Sequence, residues 1–311
     1  MPAEGIHLTA LREAMAAPTL DAPVRRLLVR RDDAARLGAL VPDLPYFHRY
    51  ALEVVRYLTG LPAQASPWGA AIHDGGAVVL LGSLLAVARR ERDPVLGAIA
   101  LGVASHCAID RALHPLVNAL ARQHRGALSH DAAHREVEKF QSICFHEQYL
   151  GRDTMGTSGI TAYLTIHTAE TWRASDRTSA LLCEAWAGAL SDAPGARALA
   201  GLVRGYRQHA RLLGTPLGKR VAPPAAKDAA RPKFLRGAWG TFEALLEDAI
   251  AASIPVVNAA GAVLEAGDSG TDAATARARL AALLPDGTID PQGDALDLAR
   301  PVAISLRALS I

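Results

Sequence analysis

Residues 95–115 read VLGAIALGVASHCAIDRALHP. A run this apolar, and this rich in alanine and leucine, is expected to form a buried helix. Yet His106, Asp110 and His114 stand on it at intervals of four. On a helix such residues share one narrow stripe, each about 6 Å further along the axis. His106 and His114 are then about 12 Å apart, too far to share one cation through bonds of about 2 Å. Asp110 lies between them, and its two oxygens can serve two ions, one nearer each histidine. Pro115 removes a backbone donor and disfavours helical geometry at the residue before it, which can turn His114 off a straight stripe. Without ions, the same pattern reads as three polar side chains partnered by water or backbone.

The remainder of the chain continues the helical theme. Helices are expected at about 5–16, 22–38, 46–59, 76–91, 94–121, 131–151, 158–173, 177–191, 194–213, 235–252, 255–266, 271–284 and 294–310. Runs of β-branched alternation with hairpin turns are almost absent. Proline and glycine punctuate the segments, as in VPDLPYF, LPAQASPWG, SDAPG and LLPDGTIDPQGD. No repeat at a fixed period emerges, which argues against a solenoid. The expected class is all-α: a single multi-helix domain over 1–311, with 1–150 carrying the chemistry. Residues 214–234, GTPLGKRVAPPAAKDAARPKF, read as a basic flexible loop. As a lid, such a loop would meet phosphate or a lipid head group.

Composition narrows the classes. The 311 residues are 50% hydrophobic but only 5% aromatic, which suits packed helices over a β-sandwich. A net charge of +2 gives no indication of nucleic acid. Cys107, Cys144 and Cys183 are odd in number and far apart, so neither a disulfide framework nor a thiolate zinc site is expected. The start, MPAEGIHLTALREAM, lacks a basic stretch followed by an apolar run; no signal peptide is read, and a cytoplasmic setting is expected. GGAVVLLGSLLAVARRERD is too short before its charges to span a bilayer and reads as a core helix. GDSG at 267–270 has no β context for a serine nucleophile, and no GxGxxG or Walker A pattern occurs.

Nine of the 11 histidines precede residue 150, which places the candidate chemistry in the N-terminal half. HREVE puts His134 and Glu138 four apart on a second helix. ALVPDLPYFH holds Asp43 between two prolines that fix the chain around it. WGAAIHDGG places His73 and Asp74 before a glycine pair where backbone can approach closely. A turn aspartate and a helix N-cap are the plain structural uses of Asp43 and Asp74.

In this order the pieces resemble the bacterial zinc-dependent phospholipase C family, which includes phosphatidylcholine-preferring enzymes and alpha-toxin. The zinc single-strand nucleases are more distant relations. The resemblance covers roughly residues 5–150: an early histidine, the PD turn, a following histidine, SHxxxD with HP after it, and HxxxE. It implies an all-α protein holding two or three Zn²⁺ ions. Asp43, His73, His106 and Asp110 would hold one ion, and His114, His134 and Glu138 a second. Asp110 would bridge to a third that also takes His7. Secreted members put a processed N-terminal tryptophan on that third ion; here the sequence has Met1, which leaves His7, with His48 as a substitute.

Imidazole and carboxylate ligands suit zinc, which makes water nucleophilic near neutral pH and clamps phosphate oxygens. The implied activity is hydrolysis of a phosphodiester, a phospholipid first, with Asp43 orienting or deprotonating the attacking water. Transient membrane contact would go with it. The alternatives are a nuclease or small-molecule phosphodiesterase of the same chemistry, and a non-catalytic helical scaffold.

Overall fold

The computed structural model describes residues 4–62, 64, 66–124, 126–237, 240–266 and 270–284. The chain opens with α1 (Glu4–Ala16), α2 (Ala22–Arg30) and α3 (Asp32–Gly38). A 3-10 segment, Val41–Phe47, leads into α4 (Tyr50–Leu58). The short α5 (Gly69–Ala71) runs through a π-helical turn, Ile72–Gly76, into α6 (Ala77–Glu91). Two long helices follow, α7 (Pro94–His124) and α8 (His130–Leu150). Then come α9 (Ser158–Leu164), α10 (His167–Thr171), α11 (Arg177–Ala189) and α12 (Ala196–Leu213). The last group is α13 (Gly218–Val221), α14 (Pro224–Phe234), α15 (Phe242–Glu265) and α16 (Gly270–Leu283). The all-α expectation holds: the strand content among the described residues is one antiparallel pairing, Arg236–Gly237 with Gly240–Thr241.

α7 is the axle of the molecule. It is buried on every side from Leu96 to Asp110, and α3, α6, α8 and α15 pack around it. α7 and α15 are both long and apolar enough to cross a membrane, but 83% and 61% of their most apolar windows are buried inside the protein. That burial makes them core helices. One continuous core runs from Ile6 to Leu284, with Phe47, Trp186 and Tyr206 among its largest fully buried side chains.

α3 lies against α7 unusually closely. A Cβ on Gly38 would run into the Ile99 carbonyl, and one on Gly102 into the Ala35 carbonyl. Two glycines facing each other therefore set the separation of these helices. Gly102→Ala is expected to destabilise the protein by about 1–3 kcal/mol through overpacking. A lowered denaturant midpoint with an unchanged slope measures it.

Several expected elements differ in their bounds, and the helix expected at 158–173 is two, Ser158–Leu164 and His167–Thr171, parted by extended backbone at Thr165 and Ile166. The helix expected over 22–38 breaks at Arg31, because Asp32 and Asp33 start a fresh helix there. Helices expected at 235–252 and 255–266 are one helix, α15, which runs through Pro255. α7 likewise continues through Pro115 to His124. A proline inside a long, well-packed helix costs one backbone bond, which the surrounding burial outweighs. Residues 214–234 are not a flexible loop. Pro223 and Pro224 start α14 at positions where the missing N–H costs nothing. Lys227 is buried and ion-paired, its Nζ 2.7 Å from Glu147 Oε1. Arg231 holds the other oxygen of that carboxylate at 3.1 Å. The basic residues thus bind the segment to α8. The helix expected at 294–310, and the nucleophile of the GDSG stretch, lie outside the described residues.

Candidate metal centre

The centre is assembled by four segments around α7. The 3-10 segment is forced by its prolines: Pro42 lies in its first turn and Pro45 inside it, too dense for an α-helix. Its tight winding turns Asp43 inward. The π-helical turn carries His73, whose Nε2 reaches Asp43 Oδ1 at 3.3 Å. α1 delivers His7, 3.1 Å from Asp110 Oδ1 through its Nε2. α8 begins with the Ser129 side chain capping the N–H of Ala132 and presents His134 and Glu138 one turn later.

These side chains converge. His106 Nε2 lies 2.9 Å from Asp110 Oδ2, and His114 Nε2 lies 3.7 Å from Asp110 Oδ1. His114 also faces Glu138 Oε1 at 3.5 Å, and His134 Nε2 approaches the same oxygen at 3.2 Å. Five imidazoles and three carboxylates form three groups: His7, His106 and Asp110; Asp43, His73 and His106; His114, His134 and Glu138. In each, one ligand atom per residue lies within 4.8 Å of the others. Asp110 joins them, with Oδ1 toward His7 and His114 and Oδ2 toward His106. All eight predicted residues are brought together. His48 is not among them; its ring stands edge-on to Trp68 at 5.4 Å.

Backbone carbonyls and one amide orient the rings. His106 Nδ1 donates to the Ala39 carbonyl at 2.8 Å, a contact made possible by the close seating of α3 on α7. His73 Nδ1 donates to the Gly69 carbonyl at 2.9 Å, and His134 Nδ1 to Asn118 Oδ1 at 2.8 Å. With Nδ1 engaged in each case, Nε2 is the nitrogen left to face the cluster. His106 therefore has one nitrogen to offer, and it can serve only one of its two groups at a time. His7 and His106 also stack, their ring centroids 3.9 Å apart.

The electrostatics are those of a pocket built for positive charge. Burial alone would lower the His106 imidazole, but Asp110 and Asp43 outweigh it and push it up to about 9. His114 reaches about 9 likewise, against burial, through Asp110 and Glu138. Burial would raise the Asp43, Asp110 and Glu138 carboxyls; the imidazoles around them overcome it, and all three are held below the usual range. Burial, with the charges of Asp43, Glu138 and Asp110, holds the Tyr46 phenol far above its ordinary value. Tyr46 therefore remains an O–H group, its oxygen 3.3 Å from His73 Nδ1.

The donor set fits zinc. It is nitrogen and oxygen throughout, three histidine or carboxylate ligand atoms to a group, which is the ligand chemistry and number of a zinc site with an open position. A family model described as zinc-dependent phospholipase C matches residues 6–186. The chain belongs to the zinc-dependent phospholipase C family. All eight residues of the centre lie inside the matched stretch. No curated protein and no solved structure matches the chain.

Two neighbours of the candidate centre escaped the sequence reading. Asn118 is fully buried beside His134, and it continues the stripe 106, 110, 114 by one more step of four. That spacing was the available signal. Tyr46 had none beyond standing three residues after Asp43.

Proposed function

We propose that the chain is a zinc-dependent phosphodiesterase that cleaves phospholipids on the phospholipase C pattern. One observation carries this reading: Asp110 lies at the junction of three imidazole–carboxylate groups, each small enough to hold one ion. Asp43, His73 and His106 would hold one ion and His114, His134 and Glu138 another, with Asp110 and His7 joining a third. When bound, zinc supplies Lewis acidity that draws charge from phosphate oxygens and makes water nucleophilic near neutral pH.

The protein's own groups do the positioning. The oriented Nε2 atoms fix where phosphate can sit. Asp43, kept ionised, offers a carboxylate oxygen to take a proton from the attacking water. Tyr46 keeps its proton and can donate it in a hydrogen bond to a substrate oxygen. Support for a lipid substrate comes from α4, directly after the Asp43 segment. It buries none of its residues, and Leu52, Val55, Leu58 and Leu61 are about half exposed.

The test is zinc analysis of protein expressed in zinc-replete medium, followed by a panel of phosphatidylcholine, phosphatidylethanolamine, phosphatidylglycerol and a soluble aryl phosphodiester. Two or more zinc ions per chain and turnover of a lipid are expected. Less than one zinc per chain overturns the reading. Asp43→Asn is expected to lower kcat by about 100-fold or more while most of the zinc stays bound. Undiminished kcat removes Asp43 from proton transfer. Asn118→Ala leaves His134 free to rotate, and zinc affinity at the His114, His134 and Glu138 group is expected to fall about 10–100-fold. Competition against a chromophoric chelator reads this directly.

A further inference from the structure

The face of α12 away from the core carries a second charged feature. Arg197, Arg204 and Arg207 fall on one side of that helix, spaced seven and three apart. The turn after α10 brings Trp172 and Arg173 opposite them. Between the two lies a cleft of about 410 Å³, lined by these four arginines and by no carboxylate. That volume is in the range of small-ligand sites.

The arginines are only partly neutralised. Glu170 takes Arg207 and Arg211, at 3.0 and 2.6 Å. The guanidinium groups of Arg173, Arg197 and Arg204 have no carboxylate partner among the described residues, while the Arg173 backbone N–H donates to Asp176 Oδ2 at 2.9 Å. Some exposed arginines elsewhere are matched, as Arg90 is by Glu184 and Arg177 by Glu91. Others, such as Arg26 and Arg30 on α2, have no ion-pair partner among the described residues. What sets the cleft apart is that four arginines line one concavity. The Trp172 ring also lines the cleft; its Nε1, like those of Trp68 and Trp186, is buried without a hydrogen-bond acceptor.

We infer that this cleft binds a phosphate-bearing anion. Guanidinium forks match phosphate oxygens in pairs, and the Trp172 ring lies beside them. The shared chemistry is a phosphate group, supplied by a soluble phosphate or by the head group of an anionic lipid. The cleft is separate from the metal centre in sequence: its α12 half lies beyond the stretch matched by the family model. It does not depend on the zinc centre being active.

The experiment uses the full-length, zinc-loaded protein. In one arm, inorganic phosphate is titrated while tryptophan emission is followed; in the other, flotation measures binding to phosphatidylglycerol vesicles. Arg173→Gln with Arg204→Gln is compared with Arg26→Gln with Arg30→Gln, a pair of exposed arginines on α2. The cleft pair is expected to weaken binding at least about tenfold in one arm or both, with Arg→Lys at the same positions recovering part of it. The α2 pair is expected to match the wild type. In the phosphate arm, Trp172→Phe is expected to remove the emission change. A phosphate response identifies a soluble ligand, and a vesicle response alone identifies a lipid head group. No binding in either arm, or binding that the cleft pair leaves unchanged, overturns the inference. Neither readout requires hydrolysis, so an inactive metal centre would not be mistaken for an empty cleft.

Discussion

Asp110→Asn is expected to abolish lipid hydrolysis, with a loss of kcat/KM of about 1,000-fold or more, and to lower the zinc content by at least one ion per chain. The asparagine has the same shape, so the packing of α7 survives. What it removes is charge at the one point shared by His7, His106 and His114. The amide nitrogen is also a donor, and one of the three imidazoles would meet a donor where it now meets an acceptor. Both effects oppose a cation. Zinc content by elemental analysis and single-turnover kinetics separate loss of metal from loss of chemistry. A variant with full zinc and wild-type turnover would show that the junction at Asp110 is not where the ions meet.

The second large effect concerns pH. In the zinc-free protein His106 and His114 are held at about 9, against 6.5 in the unfolded chain. A raised folded value means that their protonation stabilises the fold fully below pH about 6.5 and ceases to do so as pH rises through about 9. The carboxyls of Asp110 and Glu138 are depressed, so their contribution is present above the ordinary carboxylate range and is lost as pH falls below it. Zinc-free protein should therefore be most stable near pH 5–6.5 and weaken toward pH 9. Zinc behaves in the opposite way, because it binds the neutral imidazole and competes with the proton. The interval between the melting temperatures of zinc-loaded and chelated protein is expected to widen from pH 6 to pH 9. At roughly 3 kcal/mol for each of the two imidazoles, and about 2 °C for each kcal/mol, the widening is on the order of 10 °C. Scanning calorimetry with and without chelator measures it. An interval that stays constant or narrows contradicts the assignment of these rings to the cation.

The helical class and the heart of the centre were legible because both rest on side-chain spacing. The stripe on α7 and the His134–Glu138 pair needed only the period of the helix. Asp43 and His73 were legible through their flanking prolines and glycines, and through resemblance to a family. What remained hidden belongs to the backbone. The carbonyls of Ala39 and Gly69 that orient His106 and His73 carry no letter of their own. The seating of Gly38 on α7 depends on two helices meeting in space, which neither glycine announces alone. The basic segment 214–234 was misread because prolines and lysines are the ordinary marks of a loop. Its order comes from a distant acid, Glu147, that binds Lys227 and Arg231. Pro255 misled in the same way, since burial along α15 outweighs one absent backbone bond.

The three anchors of the rings differ in kind. A peptide carbonyl persists whichever amino acid occupies its position, so drift at residues 39 and 69 leaves the acceptors of His106 and His73 chemically intact. The acceptor of His134 is a side chain, and a single codon can delete it or convert it to a carboxylate. The centre is thus inherited in two parts: a half shielded from point mutation and a half open to retuning. Any shift in metal preference among descendants of this sequence has its simplest route through position 118.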